Sequence, residues 1–205
     1  MQSLPVPIPL KALVIFWTIG LLISGYAPYD RTTWLMEIAP TLIVTPILFA
    51  TYRRFQFTSF AYALIIIHGI ILMIGGAYTY ARVPMGGWIQ EWLHLSRNPY
   101  DKIGHFAQGF IPAIIARELL IRVFKISKGF FNAYLVISIC LAISAFYELI
   151  EWWSALAMGQ GAEEFLGTQG DVWDTQSDMF LALIGSIVAV TFFSKLHDWF
   201  IRKIK

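Results

Sequence analysis

The sequence contains little charge and almost no cysteine. Charged residues make up 14% of its 205 positions and hydrophobic residues 58%, whereas soluble globular domains contain about 25% charged residues. The single cysteine, Cys140, lies in an apolar run, which excludes an internal disulfide and a thiolate metal site. A net charge of +2 with scattered basic residues gives no basic face. Nucleic acid is therefore not an expected partner.

The common catalytic motifs of soluble enzymes are missing as well. There is no P-loop, no Gly-x-Ser-x-Gly elbow, no His-Glu-x-x-His motif and no Cys-x-x-Cys pair. Any chemistry must therefore come from side chains that the fold brings together from separate segments.

Long apolar segments dominate what is present. A helix needs about 20 mainly apolar residues to cross the hydrocarbon core of a bilayer. We therefore predict an all-α, polytopic membrane protein with a single transmembrane domain over residues 1–205. Glu37, Pro40 and Pro46 make the second segment the weakest. The six predicted transmembrane helices are 11–27, 34–51, 59–81, 103–122, 132–153 and 175–195.

The distribution of lysine and arginine predicts the orientation of the chain. The loops and helix ends on one side of the membrane, counted together with both termini, hold 11 of the 15 basic residues. Those on the other side hold four. Because cytoplasmic loops carry the excess of basic residues, we expect both termini in the cytoplasm. Residues 1–81 are interpreted as a scaffold, and 82–205 as the part that carries the polar residues.

Two segments have the pattern of interfacial helices. Between the third and fourth transmembrane helices, Trp88, Ile89, Trp92, Leu93 and Leu95 recur at helical spacing, which predicts a short amphipathic segment in the outer interface. An aromatic belt that only anchors the loop is the alternative. The C-terminal tail, with aromatic and basic side chains from Trp199 to Lys203, is interpreted as an anchor at the inner interface.

Three polar clusters lie at the predicted outer ends of the last three helices. His105, Glu148 and Asp178 each stand 17 residues from the presumed cytoplasmic end of their helix, at Arg122, Phe131 and Lys195. At 1.5 Å per residue, each lies about 25 Å along its helix. We therefore expect the three side chains at one depth, facing one another.

The spacing within each cluster predicts shared faces and a cation site. Asp101 and His105, like Asp174 and Asp178, are four residues apart, and Glu148 and Glu151 are three apart, so each pair lies on one side of its helix. Several buried carboxylates cannot all stay ionised at close range without a proton or a cation. We predict a divalent cation, Mg, Mn or Zn. The expected ligands are His105, Glu148, Asp174 and Asp178, with Asp101 or Glu151 as a general base.

Each of these residues also has a structural interpretation. Asp101, Asp171 and Asp174 stand at helix starts, where an acidic side chain can cap free N–H groups. Capping does not explain Glu148 and Glu151, which lie toward a helix C-terminus. The histidines other than His105 are interpreted as a packing residue, His68, and as two solvated residues, His94 and His197. Glu163 and Glu164 are expected to form a solvated acidic turn.

At the three clusters the chain resembles the YjdF-like inner-membrane proteins, a family whose domain is classed as of unknown function. The resemblance covers nearly the whole chain and implies a location in a bacterial inner membrane without implying a reaction. It is densest at the segments Asp101-Lys102-x-x-His105-Phe106-x-Gln108-Gly109, Glu148-x-x-Glu151-Trp152 and Gly170-Asp171-x-Trp173-Asp174-x-Gln176-x-Asp178-Met179.

More distantly, the second half is similar to the VanZ-like membrane proteins, which are associated with glycopeptide-antibiotic resistance. That pattern has an Asp-Lys-x-x-His-Phe opening, a Glu-x-x-Gln pair and a later Asp four residues before an Asn. Here Glu151 stands in place of the Gln and Asp178 in place of the Asn. Because these departures make the site more acidic, the antibiotic-resistance role is not expected to carry over.

Three functions fit these patterns. The leading hypothesis is a membrane-embedded, metal-dependent hydrolase or transferase that acts on a lipid-linked or envelope substrate at the outer face of the lipid bilayer. The second is a proton- or cation-coupled transporter, since intramembrane carboxylates often mark ion paths. The third is a non-catalytic scaffold in which the acids and His105 form a structural polar network. No protein partner is indicated.

Overall fold

The protein is built from α-helices. The computed structural model describes residues 10–158 and 168–204, with side chains over 15–157 and 168–204, and these ranges contain eight helices and a single 3-10 turn at Tyr80–Arg82 but no strand. Glu163 and Glu164 lie outside the described residues. The helices are α1 (Leu10–Tyr26), α2 (Arg31–Thr51), α3 (Ser59–Tyr78), α4 (Pro84–Leu93), α5 (Tyr100–Arg122), α6 (Phe130–Met158), α7 (Asp174–Phe192) and α8 (Ser194–Lys203).

The six long helices correspond to the six predicted segments. Four of them, α2, α3, α6 and α7, are long and apolar enough to cross a membrane by length and composition alone, and α1 contains a shorter apolar helix. Helix α5 falls outside this group because it is more polar, with Asp101, His105, Arg117 and Glu118 buried against its neighbours. The prediction of an all-α, polytopic membrane protein is confirmed.

The weakest predicted helix, α2, is continuous. It begins after Asp30, whose carboxylate accepts a hydrogen bond of 2.7 Å from the backbone N–H of Thr33 and so caps the first turn. Pro40 and Pro46 lie inside it, although each removes one backbone hydrogen bond. Packing along α3 holds α2 in place.

Helices α5 and α7 are packed with their backbones in direct contact. A Cβ added to Gly109 would lie 1.8 Å from the carbonyl oxygen of Ala182, and one added to Gly185 would lie 2.2 Å from that of Phe106. No side chain fits at these two positions, so the two glycines allow the most extensive helix contact in the described part of the chain. This close approach places His105 of α5 beside Asp178 of α7.

The short helix α4 confirms the amphipathic segment predicted between the third and fourth long helices. Its Trp88 and Trp92 are 70% and 79% exposed, as suits side chains at a membrane interface. Its inner side is anchored at Gly86, which packs directly against the side chain of Asn98. The Asn98 amide in turn donates to Val83 O at 3.0 Å and accepts from Tyr100 N at 3.0 Å.

Gly86 and Gly87 therefore make a matched pair for testing how α4 is attached. A Cβ at Gly86 would lie 1.8 Å from Asn98 Oδ1, whereas one at Gly87 meets nothing within 4 Å. We expect Gly86→Ala to lower the free energy of unfolding by about 1–3 kcal/mol, because Asn98 must move and its hydrogen bonds break. Gly87→Ala should be neutral or stabilising by up to about 1 kcal/mol, since alanine favours helix. Unfolding in mixed detergent micelles measures both, and equal effects would contradict the contact.

The end of the bundle opposite His105, which we call the basic end, is held by a buried ionic network. Glu118 accepts hydrogen bonds from the N–H and hydroxyl of Thr58, at 2.8 and 2.7 Å, and from Arg122 at 2.5 Å. Its second oxygen also lies 3.0 Å from His197 Nε2. The expectation that His197 is solvated was wrong, because its side chain is fully buried.

The same network joins α8 to the rest of the basic end. Arg117 reaches His197 Nδ1 at 3.2 Å and donates to Asp198 at 2.8 Å, and Lys128 lies 3.1 Å from the same carboxylate. Burial raises the pKa of Asp198, but the hydrogen bonds from Arg117 and Lys128 outweigh it and leave that pKa lowered. This attachment of α8 is therefore kept at neutral pH and weakens only as acid protonates the carboxylate.

Candidate metal centre

The imidazole of His105 lies at the centre of the polar end. Its Nε2 atom is 3.4 Å from Asp101 Oδ1, one helical turn back on α5, and 3.8 Å from Asp178 Oδ2 on α7. Its Nδ1 atom is 3.8 Å from Glu148 Oε1 on α6. The structure thus brings together the three residues that helix counting placed at one depth. All four residues are buried.

Asp101, His105 and Asp178 form the first of two groups that could hold a cation. One nitrogen and two carboxylate oxygens all lie within 4.8 Å of one another. Ligand atoms that bind one tetrahedral ion at about 2.1 Å lie about 3.4 Å apart. The distances from His105 Nε2 to the carboxylates of Asp101 and Asp178, 3.4 and 3.8 Å, are close to that value. Asp101 Oδ2 and Asp178 Oδ1 are buried and have no hydrogen-bond partner within the described residues. Such orphaned oxygens are expensive unless a cation or proton satisfies them.

Gln108 orients the imidazole ring of His105. Its side-chain oxygen lies 2.9 Å from His105 Nδ1 and accepts a hydrogen bond from that nitrogen. In the neutral ring, the proton on Nδ1 leaves the Nε2 lone pair facing Asp101 and Asp178, which are themselves acceptors when ionised. A cation between the three groups turns this repulsion into ligation. A hydrogen bond from the second ring nitrogen to a carbonyl group is also the usual arrangement around a metal-binding histidine.

Glu148 and Glu151 form the second group with His105, on the Nδ1 side of the ring. Both come from α6, three residues apart, so they share one face of that helix. Glu148 Oε1 is buried and has no hydrogen-bond partner in the described part of the chain. The two carboxylates therefore add further negative charge next to His105.

Asp174 is in neither group. Its carboxylate is bound by the buried Arg97, with 2.5 Å between Asp174 Oδ1 and the guanidinium. Arg97 also donates to the backbone oxygen of Thr168 at 2.6 Å. The loop before α5 is thereby tied to the loop before α7. Sequence reasoning missed Arg97 as a partner, because it was counted only as a basic loop residue.

Helix capping does not account for the acidic residues at the helix starts. Neither α5 nor α7 has a side-chain hydrogen bond at its N-cap, where Pro99 and Trp173 stand. Asp171 accepts a hydrogen bond of 2.9 Å from Trp173 N, a local turn before α7. Asp101 and Asp174 therefore face His105 and Arg97 instead of capping their helices.

A cavity of about 330 Å³ adjoins the polar end and runs into the apolar part of the bundle. Asp101, His105 and Glu151 line it at one end, together with Glu37 of α2. Glu37 is buried beside the Tyr80 side chain. The sequence signal was present, since a glutamate inside a transmembrane helix has no capping role. We had interpreted it only as an interruption of α2.

Comparison with known proteins agrees with this architecture. Residues 9–199 match the family described as "Predicted membrane protein (DUF2238)". The chain belongs to this family. Inner membrane protein YjdF of Escherichia coli (strain K12) is 55% identical over 191 residues, which cover 93% of this chain and 91% of that protein. The predicted resemblance to YjdF-like proteins is thus confirmed, whereas the distant resemblance to VanZ-like proteins stays a prediction.

Membership of the DUF2238 family carries no reaction with it. The name of the Escherichia coli relative and the apolar helices support a bacterial inner membrane protein. The cytoplasmic position of both termini stays a prediction. No solved structure matches the chain. The function therefore has to be argued from the side chains around His105.

Proposed function

We propose that the protein is a membrane-embedded, metal-dependent hydrolase or transferase acting on a lipid-linked or envelope substrate. The observation that carries the proposal is the group of Asp101, His105 and Asp178, buried, within 4.8 Å of one another and with two unpartnered carboxylate oxygens. These three residues would hold a Mg, Mn or Zn ion. The positive-inside count would place this end at the outer face.

The roles of the other acids follow from where they lie. A bound cation would polarise an ester or phosphoryl oxygen and favour ionisation of a water molecule. Glu151 lines the cavity and is grouped with His105, so it is placed to take the proton from that water. In hydrolysis the water oxygen would form the new bond to the carbon or phosphorus, and the leaving oxygen would depart with the bonding pair and take up the proton that Glu151 had removed from the water. Asp174 is held by Arg97, and we assign it a positioning role.

Ion transport through the bundle has less support. Glu118 and its partners close the basic end of α5. Both side-chain oxygens of Glu118 already accept hydrogen bonds. Between the two ends, the inner half of the bundle is packed with apolar side chains such as Ile114 and Val136. A scaffold with a purely structural polar network is the alternative that an experiment must separate from the enzyme.

Measurements of cation binding distinguish the metal-dependent enzyme from the structural scaffold. Purified protein stripped with EDTA and then titrated with Zn or Mn should bind roughly one ion per chain. His105→Ala and Asp178→Asn should abolish this binding, and Gln108→Leu should weaken it by about 10–100-fold, since Gln108 only orients the imidazole. Glu91→Gln, at an exposed acid of α4, serves as the control. Elemental analysis and calorimetry measure the stoichiometry and affinity.

The stability of the same variants tests the scaffold alternative. If the acids form a structural network, Asp178→Asn removes an interaction and should destabilise the metal-free protein. If they await a cation, the same change relieves repulsion and should leave the metal-free protein at least as stable. A wild-type protein that binds no cation, combined with a destabilised Asp178→Asn variant, would overturn the proposed function.

A further inference from the structure

The cavity beside the polar end is elongated and mostly apolar away from its acidic end. On α5 its lining extends from Asp101 to Ile115, 14 residues, or about 21 Å along the helix. Half the hydrocarbon core of a bilayer is about 15 Å thick, which is the depth of one lipid chain. The cavity is thus long enough for a single hydrocarbon chain that begins at His105. Beyond the acidic end its wall includes Trp17, Val44, Ile65, Leu72, Pro112, Ile115 and Ile143, with Thr41, Thr45 and His68 as polar residues among them.

Exposed lining residues and sparse helix contacts indicate a side opening of the cavity between α2 and α6. Val44 on α2 and Ile143 on α6 both line the cavity, and both helices span the membrane. The two side chains are 40% and 44% exposed. Helix α2 packs along α3, whereas α6 packs along α5 and α7, so these two helices make little contact with each other. The space between them therefore faces the hydrocarbon of the bilayer.

The opposite side of the cavity is closed by a specific contact. Trp17 of α1 packs against Gly69 of α3, where an added Cβ would lie 1.7 Å from the indole ring. The Trp17 side chain is buried and lines the cavity. Trp17 thus forms the part of the cavity wall that α1 contributes.

We infer that the cavity binds one hydrocarbon chain of a membrane lipid, which enters between α2 and α6 and leaves its polar head beside Asp101 and His105. The occupant is a hydrocarbon chain because the opening faces lipid, the wall is mostly apolar and the length matches one leaflet. The placement of the head at a bound cation rests on the proposed function, whereas the binding of the chain does not. The substrate class that follows is a lipid with a phosphate or ester next to its chain.

Tryptophan substitutions on α2 test the inference. Val44→Trp should fill the cavity, and Ile43→Trp is the matched control, because Ile43 is exposed on the same helix without lining the cavity. The probe is monopalmitoylglycerol, which has no charge, added to delipidated and EDTA-treated protein in detergent. Native mass spectrometry should show the probe bound to the wild type and to Ile43→Trp, with about tenfold less bound to Val44→Trp. A second pair on α6, Ile143→Trp and Leu141→Trp, should behave in the same way.

A second probe separates this inference from the proposed function. Palmitoyl lysophosphatidate has the same chain with a phosphate head, and it should bind at least about tenfold more tightly when Zn is present than in EDTA. Binding of monopalmitoylglycerol without any effect of Zn supports the lipid cavity and counts against the cation site. Zn binding with no retention of either lipid, or equal retention by Val44→Trp and the wild type, overturns the lipid cavity. Unchanged helical circular dichroism confirms that each variant is folded.

Discussion

Replacing Glu118 with alanine is expected to lower the free energy of unfolding by about 3–5 kcal/mol. Glu118 is fully buried, and it accepts hydrogen bonds from Thr58, Arg122 and His197. Removing it takes the buried acceptor away from Thr58, from His197 and from the partly buried Arg122, which costs far more than the loss of an exposed ion pair. Unfolding in mixed detergent micelles, followed by circular dichroism, measures the change.

Two controls make the Glu118 result specific. Glu91→Ala removes an exposed carboxylate from α4 and should change the free energy of unfolding by no more than about 0.5 kcal/mol. Glu118→Gln keeps the shape and one acceptor oxygen and should fall between the two. A Glu118→Ala variant within about 1 kcal/mol of the wild type would show that the network at the basic end contributes little to stability.

The second large effect is expected at Gly109, where α5 crosses α7. A Cβ there would lie 1.8 Å from the backbone oxygen of Ala182, which cannot turn away as a side chain can. Gly109→Ala should therefore separate the two helices and destabilise the protein by more than about 3 kcal/mol. Because Asp178 is on α7 and His105 on α5, the same variant should also bind Zn at least about tenfold more weakly.

The reciprocal position provides a check on this prediction. Gly185→Ala meets the Phe106 backbone from the other helix, at 2.2 Å, and should reproduce both effects. Gly87→Ala, with open space around it, should reproduce neither. If Gly109→Ala retained wild-type stability and cation affinity, the contact between the two backbones would not be what aligns His105 with Asp178.

The sequence predicted most of the architecture because hydrophobic runs and helix length are properties of the chain itself. The helix ends agree closely, and the largest difference is at the end of α6, predicted at 153 and found at Met158. Counting residues along three helices also predicted that His105, Glu148 and Asp178 would meet, since the rise of an α-helix converts sequence distance directly into depth.

What the sequence could not predict depends on how each helix is rotated against its neighbours. Asp174 has the same spacing from Asp178 as Asp101 has from His105, yet Arg97 binds it, and that arginine lies 77 positions away in the chain. His197 was assigned to the solvated basic tail, although Phe193, Phe200 and Ile201 stand at helical spacing from it. Its burial depends on packing against Phe60 and on the polar partners Glu118 and Arg117, which come from distant parts of the chain. Glu37 was recognised as unusual but could not be assigned to the cavity without the packing of α2.

The polarity of α5 has a consequence for how the protein is made. Its charged side chains cost too much in lipid for the helix to insert stably by itself, and in the folded protein its most extensive contact is with α7, which begins some 50 residues later at Asp174. We expect nascent α5 to remain beside the translocon, or to be shielded there by another protein, until α7 emerges and supplies its packing surface. Membrane integration of this chain is then a cooperative step of its second half.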